Sequence, residues 1–419
     1  MAKIIIIGGG WAGCAAAVTA RKTGAEVLLA ERTDLLLGLG NVGGIMRNNG
    51  RFTAAEECIA MGAGELFEIT DACSTHHNVD FPGHHHASFY DPEEVEPAVR
   101  KLLAYMGITT KMATRITDVC TEDNCIQSIT SAEGECFEAD VFIDCTGTTG
   151  PMGNCAEFGN GCSMCVLRCP SFGPRVSISA KAGGADYYGM RDDGTPGAFS
   201  GSCKLDKGSL SEELQEKLKK DGAVIVPLPE RLVNKGKLSK KVCRQYALPQ
   251  FAENIILIDT GHAKMMTPFF PLEELRQVRG FERVRMLDPY AGGKGNSIRY
   301  MAITERDAFL KVKNVKNLFC GGEKAGPFIG HTEAIITGSL AGYNAGAMAR
   351  GEALLSLPPE TTAIGAFLHY KNPEGGMFTF AGDAFFDVMK AQGLYTTDAM
   401  VIRRRIEGAG LTGIYNAFL

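Results

Sequence analysis

The chain has 419 residues, 45% of them hydrophobic and 22% charged, which excludes a disordered or fibrous class and leaves ample apolar surface to bury. That length suggests two or three domains. A formal net charge of −5 excludes a broadly cationic surface and argues against nucleic acid as a partner, although a local basic groove remains compatible with it.

Met1-Ala2-Lys3 and the uncharged stretch after it superficially imitate a secretory leader. Ile4 to Ile7 followed by glycines instead read as a buried strand and a turn. No stretch is long and apolar enough to span a membrane. The expected location is the cytoplasm, where the 14 cysteines would be reduced or metal-bound rather than disulfide-paired.

Lys3 to Ile7 predicts a central parallel strand, Ala12 to Thr23 a helix and Glu26 to Ala30 a second strand, a complete βαβ unit. Gly8, Gly10 and Gly13 occupy the G-x-G-x-x-G spacing between strand and helix. The first glycine permits the tight turn, the second lets backbone approach a pyrophosphate, and the third allows close helix–strand packing. The helix N-terminus then offers N–H groups and partial positive charge to a diphosphate. Glu31, ending the second strand, is placed to accept hydrogen bonds from ribose hydroxyls. Trp11, inside the turn, either covers the cofactor or packs. Ala12 and Arg32 complete this candidate set. The motif alone leaves FAD and NAD open; its place at the start of a long chain whose fold closes again near Val315 favours FAD.

Asp91, Pro92 and Glu93 open an amphipathic helix ending near Gly107. Ile116 to Val119, Cys125 to Ile129 and Glu135 to Glu138 read as meander strands leading into an apolar strand, Asp140 to Asp144, that stops at Thr146-Gly147. From 151 to 312 the texture changes to glycine turns, cysteines and a lysine-rich helix, capped by a Ser209–Glu212 box and ended by Asp221-Gly222. Val315 to Cys320 returns to buried-strand character, and a helix follows from about Thr332 to Ala349. The expected fold class is α/β: a Rossmann-like FAD-binding domain, parallel sheet plus β-meander, from 1–150 and 313–356. An inserted α+β domain spans 151–312, and a helical segment, 357–419, packs on the FAD domain.

Asp91-Pro92-Glu93, Asp144-Cys145-Thr146-Gly147 and Asn317-Leu318-Phe319-Cys320-Gly321-Gly322-Glu323 resemble successive cofactor-contacting segments of the glutathione-reductase-like flavoproteins. NLFCGGEKAGPFIGHTEAIITGSLAGYNAG, from Asn317 to Gly346, resembles the signature of the GidA-type tRNA-modifying flavoproteins and of the folate- and FAD-dependent tRNA uridine methyltransferases. Pro358 to Tyr370, with its AIGAFLHY core, is similar to the methyltransferase branch. The resemblance implies that Thr146, Gly147, Gly321, Gly322 and Glu323 border the cofactor. It also implies that Gly43 and Gly44 lie near the diphosphate, and that the helix after His331-Thr332 aims its N-terminus at the flavin. Lys324 and His331 are the candidate polar groups near the ring. Gly38 to Asn49 departs from the family, since RNA-modifying relatives carry a reactive cysteine there. Homodimers are common among such relatives.

Cys162, Cys165 and Cys169 followed by Pro170 read C-x-x-C-x-x-x-C-P, with Cys155 seven positions before Cys162. The run reproduces part of a ferredoxin pattern, and four thiolates converging there would suit a 4Fe–4S cluster, with zinc and plain reduced cysteines as alternatives. Cys145, Cys203, Cys243 and Cys320 are substitutes for Cys155, or buried small residues. His76, His77, His84, His85 and His86 cluster around Pro82-Gly83, either as metal or acid–base groups or as surface histidines. Arg403, Arg404 and Arg405 read as a solvated helix face.

Three functions follow. The first is an FAD- and iron–sulfur oxidoreductase exchanging electrons with a small-molecule substrate or a protein electron carrier. The second is a folate- and FAD-dependent RNA-modifying enzyme. The third is a redox-sensing flavoprotein without turnover.

Overall fold

A computed structural model describes residues 1–148, 169–188, 198–199, 203–240, 246–266, 270–287, 298–299, 302–326, 330–370 and 383–416. Its centre is a five-stranded sheet in the order Leu318–Cys320, Val141–Asp144, Lys3–Ile7, Glu26–Ala30, Thr109–Lys111, parallel throughout. Parallel strands are covered on both faces, which is why Ile4, Ile5 and Ile6 run apolar without alternation and are wholly buried. An antiparallel meander, Ile116–Glu122, Cys125–Ser131 and Cys136–Glu138, connects the edge strand back to the centre. The expected βαβ unit, meander and closing strand are all present, and the fold is the α/β FAD-binding type.

Two helices pack unusually closely over the sheet. The first, α1 (Trp11–Lys22), lies against the helix His331–Ala349. Gly338, Gly342 and Gly346, spaced by four, form one stripe of the later helix. A Cβ on them would fall 2.1 Å from the Ala12 carbonyl oxygen, 2.3 Å from that of Ala16 and 2.1 Å from Thr23 Oγ1. Thr19 Oγ1 takes advantage of this approach and donates to the Ser339 carbonyl at 2.9 Å.

The antiparallel region is built from two separated stretches. Strands Cys203–Leu205, His262–Met265, Asn254–Thr260 and Ala223–Pro227 form one sheet. One face packs on the helix Glu212–Asp221 through Leu214 and Leu218. The other meets Phe81, Ala87 and Phe89 of a hairpin, Ser74–Phe81 and His84–Tyr90, that sequence patterning did not reveal. The helix cap is Ser211, whose Oγ accepts from Leu214 N, rather than Ser209. Ser209 instead sits in the preceding short turn and accepts from Arg285 N.

That hairpin carries the histidine group. His84 is buried between Phe81 and Tyr246, with ring centroids 4.3 Å and 4.4 Å away, and its Nδ1 lies 2.9 Å from the Pro82 carbonyl it donates to. His76 contacts Asp259, whereas His77 and His85 are exposed. The described residues contain no His/Cys/Asp/Glu group able to hold a metal. Burial pushes the His84 imidazole down to about 3. It is therefore neutral in the fold but protonates near pH 6.5 when unfolded, so its contribution is complete above about pH 6.5 and is lost as pH falls from there. His84→Phe should keep the stack and flatten the loss of stability between neutrality and pH 4 in denaturant titrations. An unchanged pH profile would contradict this origin.

Helices Ala363–His369 and Ala399–Gly408 pack on the helix Gly50–Ala60. Here Arg405 departs from the expected solvated face: its Nη2 donates to buried Glu57 at 2.7 Å. Arg403 and Arg404 are exposed.

Candidate cofactor site

At the carboxyl ends of the parallel strands opens a cleft. Its position is the one such sheets offer to ligands, because the strand ends diverge there and leave helix N-termini facing the gap. The wall includes Gly8, Gly10, Trp11 and Ala12 from the first turn, Glu31 and Arg32 from the second strand end, and Thr146 and Gly147 from the fourth. Gly322, Glu323 and His331 complete it.

The first turn is shaped by backbone contacts. Gly8 has φ +101°, and a Cβ there would lie 2.3 Å from the Cys145 carbonyl oxygen. At Gly10 the nearest atom to an added Cβ is 4.0 Å away, so it borders open cleft. The first helical bond runs from Cys14 N to the Gly10 carbonyl, leaving the amides of Trp11, Ala12 and Gly13 ahead of the ladder. A diphosphate fits such a cradle: donors without side-chain obstruction, at the positive end of a helix. Glu31 is already engaged through both oxygens, accepting from Gly9 N at 2.6 Å and from Thr33 N and Oγ1 at 2.7 and 2.9 Å. Those bonds aim the carboxylate at the strand end, where an adenosine ribose would meet it.

Asp144 holds the opposite wall. Fully buried, it accepts from Thr146 N and Oγ1 at 3.0 and 2.7 Å and from Ser179 N and Oγ at 2.8 and 2.7 Å. Burial alone would raise its carboxyl, but Lys324 nearby and these donors outweigh that and hold it below the usual carboxylate range. Lys324 is itself wholly buried and donates to Ser177 Oγ at 2.7 Å and to both Asp186 oxygens at 2.6 Å. It does not line the cleft, so its place is in the charge network behind the Cys145-Thr146-Gly147 turn. Glu323 accepts from Thr148 Oγ1 at 2.8 Å, tying the last turn to the same wall.

Gly13, Gly43, Gly44 and Thr332 also do not line the cleft. Gly13 is a packing glycine, and Thr332 is buried against Met46. Gly43 and Gly44 are spaces for other side chains: a Cβ would strike the His331 ring at 1.6 Å from the first and Thr260 at 2.5 Å from the second. Residues that sequence reasoning missed include Leu37, Gly38 and Gly40, along with Thr114, Arg115 and Val176. None sits in a repeating motif; they reach the cleft only because the loop after the second strand and the start of the meander fold over it. Of the cysteine run, Cys155, Cys162 and Cys165 lie outside the described residues. Cys169 begins a short helix, Cys169–Phe172, and Gly173 just beyond it accepts from Arg32 of the cleft wall.

Parallel sheet, meander, glycine turn and strand-end acid together define an FAD-binding flavoprotein. The family model of glucose inhibited division protein A matches residues 3–247 and 259–353, and the chain belongs to that family. Two crystal forms of GidA from Aquifex aeolicus share its fold. Form II superposes with a TM-score of 0.65 at 16% identity, covering 97% of this chain and 76% of that one. Form I gives 0.60 at 15% identity, with 97% and 78% covered. No described helix is long and apolar enough to cross a membrane.

Proposed function

We propose that the chain is an FAD-dependent enzyme that modifies RNA. The observation that carries this reading is the family match, which runs through the cofactor frame and on to residue 247 of the antiparallel region. A second feature supports it. Arg231, Lys235, Lys237, Lys240, Lys241 and Arg244 fall in one stretch with no acid between Glu230 and Glu253, a local cationic strip on a chain of net negative charge. Arg231 and Lys235 are exposed.

In this reading the amides at the start of α1 hold the diphosphate, Glu31 holds the ribose, and the Asp144 network fixes the turn beside the ring. Bound flavin supplies two-electron redox chemistry. With FAD kept reduced by a nicotinamide hydride donor, labelled methylene-tetrahydrofolate and a tRNA transcript, the purified protein should transfer label to RNA as a methyl group, and RNA affinity should fall steeply with salt. No RNA binding at low salt and no transfer would remove this function.

A second reading keeps the chain as an iron–sulfur flavoenzyme passing electrons to a small molecule or protein carrier. Cys155, Cys162, Cys165 and Cys169 support it by spacing, and the Arg32–Gly173 contact tethers the segment after Cys169 to the cleft wall. Iron and acid-labile sulfide in anaerobically purified protein would favour it; their absence beside bound FAD would eliminate it.

A further inference from the structure

Asp144, at the end of its strand, divides its carboxylate between two parts of the chain. Oδ1 accepts from Thr146 N at 3.0 Å and from Thr146 Oγ1 at 2.7 Å, on the wall of the cleft. Oδ2 accepts from Ser179 N at 2.8 Å and from Ser179 Oγ at 2.7 Å, at the start of the short helix Ile178–Lys181. Asp144 and Ser179 are both wholly buried.

A second tie runs beside the first. Lys324 follows Gly322 and Glu323 of the last turn, and its ammonium has three N–H bonds to give, which go to Ser177 Oγ and to the two oxygens of Asp186. Ser177 in turn caps the same short helix, accepting from Ala180 N at 3.1 Å. Residues 177–186 are therefore joined to two turns of the cleft, one through Asp144 and the other through Lys324.

The Asp144 strand end also touches the first turn. An added Cβ at Gly8 would meet the Cys145 carbonyl oxygen at 2.3 Å, so the two backbones are in contact and a shift of Cys145 is passed to Gly8. Cys145 N donates to the Ile7 carbonyl at 2.8 Å and Gly321 N to the Asp144 carbonyl at 3.1 Å. Three neighbouring strand ends are thus bonded in one row.

We propose that Ser179 and Asp186 are positioning residues of the cofactor site, holding the turns Cys145–Thr148 and Gly322–Ala325 in place and, through Cys145, the glycine turn that cradles the diphosphate. Neither residue lines the cleft. A buried charge cluster adds little net stability, because taking charges out of water offsets their attraction; its effect here is on where the turns stand. The proposal rests on the FAD-site reading only for the ligand's identity.

The test is amide hydrogen exchange, read by mass spectrometry on the full flavin-free chain, unaltered and as Ser179→Ala and Asp186→Asn. Each variant should speed exchange about tenfold in peptides covering Gly8–Gly13 and Cys145–Thr148, while the strand Asn254–Thr260 stays as slow as before. Speeding confined to residues 175–188, or spread equally over every strand, would overturn the proposal. In the other direction, FAD added to the unaltered protein should slow exchange across residues 177–187, a reading that needs no variant to fold. Exchange unchanged there in protein that has bound FAD would also overturn it. By linkage, FAD affinity should fall about tenfold in both variants. If the unaltered protein binds no FAD at all, the cofactor reading fails, and the flavin-free exchange still decides the positioning role.

Discussion

Alanine at position 13 is expected to abolish FAD binding and to cost roughly 3 kcal/mol or more of stability. Its Cβ would sit 1.8 Å from the Gly8 carbonyl oxygen and 2.9 Å from the carbonyl carbon. Both are backbone atoms, so no rotamer change relieves the contact; the helix must lift from the strand. Lifting it displaces the amides of Trp11 and Ala12 on the cleft wall. The chain's one tryptophan is Trp11, so FAD should quench its emission in the unaltered protein and leave it unchanged in Gly13→Ala. Gly24→Ala is the control. Gly24 has φ +81° but no atom within 4 Å of an added Cβ, so that variant should bear only backbone strain of about 1 kcal/mol and keep its flavin. Normal flavin affinity in Gly13→Ala would refute the cradle.

The second large effect lies away from the cleft. Glu57 is fully buried and accepts from Ala363 N at 2.8 Å, Ile364 N at 3.0 Å and Arg405 Nη2 at 2.7 Å. Burial raises its carboxyl despite those donors. Arg405→Met strips the cation paired with this carboxylate and should destabilise the protein by about 3–5 kcal/mol, because the charge left behind stays out of water. The pH dependence has a defined sign. A carboxyl whose folded value lies above its unfolded value loses stability as pH rises through the carboxylate range, and the variant should recover as acidification protonates Glu57. Urea unfolding at pH 7 and pH 5 reads both effects, and Glu57→Gln with Arg405→Met should recover part of the loss at pH 7. A deficit below about 1 kcal/mol at neutral pH would show that the pair is screened by solvent.

Local signals in the sequence were legible wherever one short stretch carries its own physics. The run Lys3 to Ile7, the glycines that follow and Glu31 announce a strand, a turn and an acid in fixed register, and the structure has them so. The Asp91 cap and the meander were legible for the same reason. The hairpin Ser74–Tyr90 was not: its histidines obscure the alternation, and its buried partners Phe251, Ile256, Ile258 and Met266 lie far along the chain. Lys324 was expected beside the ring and Arg405 on a solvated face, because nothing near either in sequence names the carboxylate it meets. Lys324 is buried beside Asp186 and Arg405 half-buried against Glu57, each a carboxylate far along the chain.

The amino-acid order alone determined the dinucleotide turn and the parallel frame around it, because both depend on backbone geometry and on periodicity within about 30 residues. Tertiary structure decided which polar groups face the cleft. His331 meets Tyr90 across 241 positions, and Asp144 meets Ser179 across 35. Such partnerships follow from the crossing of separate strands and loops, and no local pattern encodes where those crossings fall.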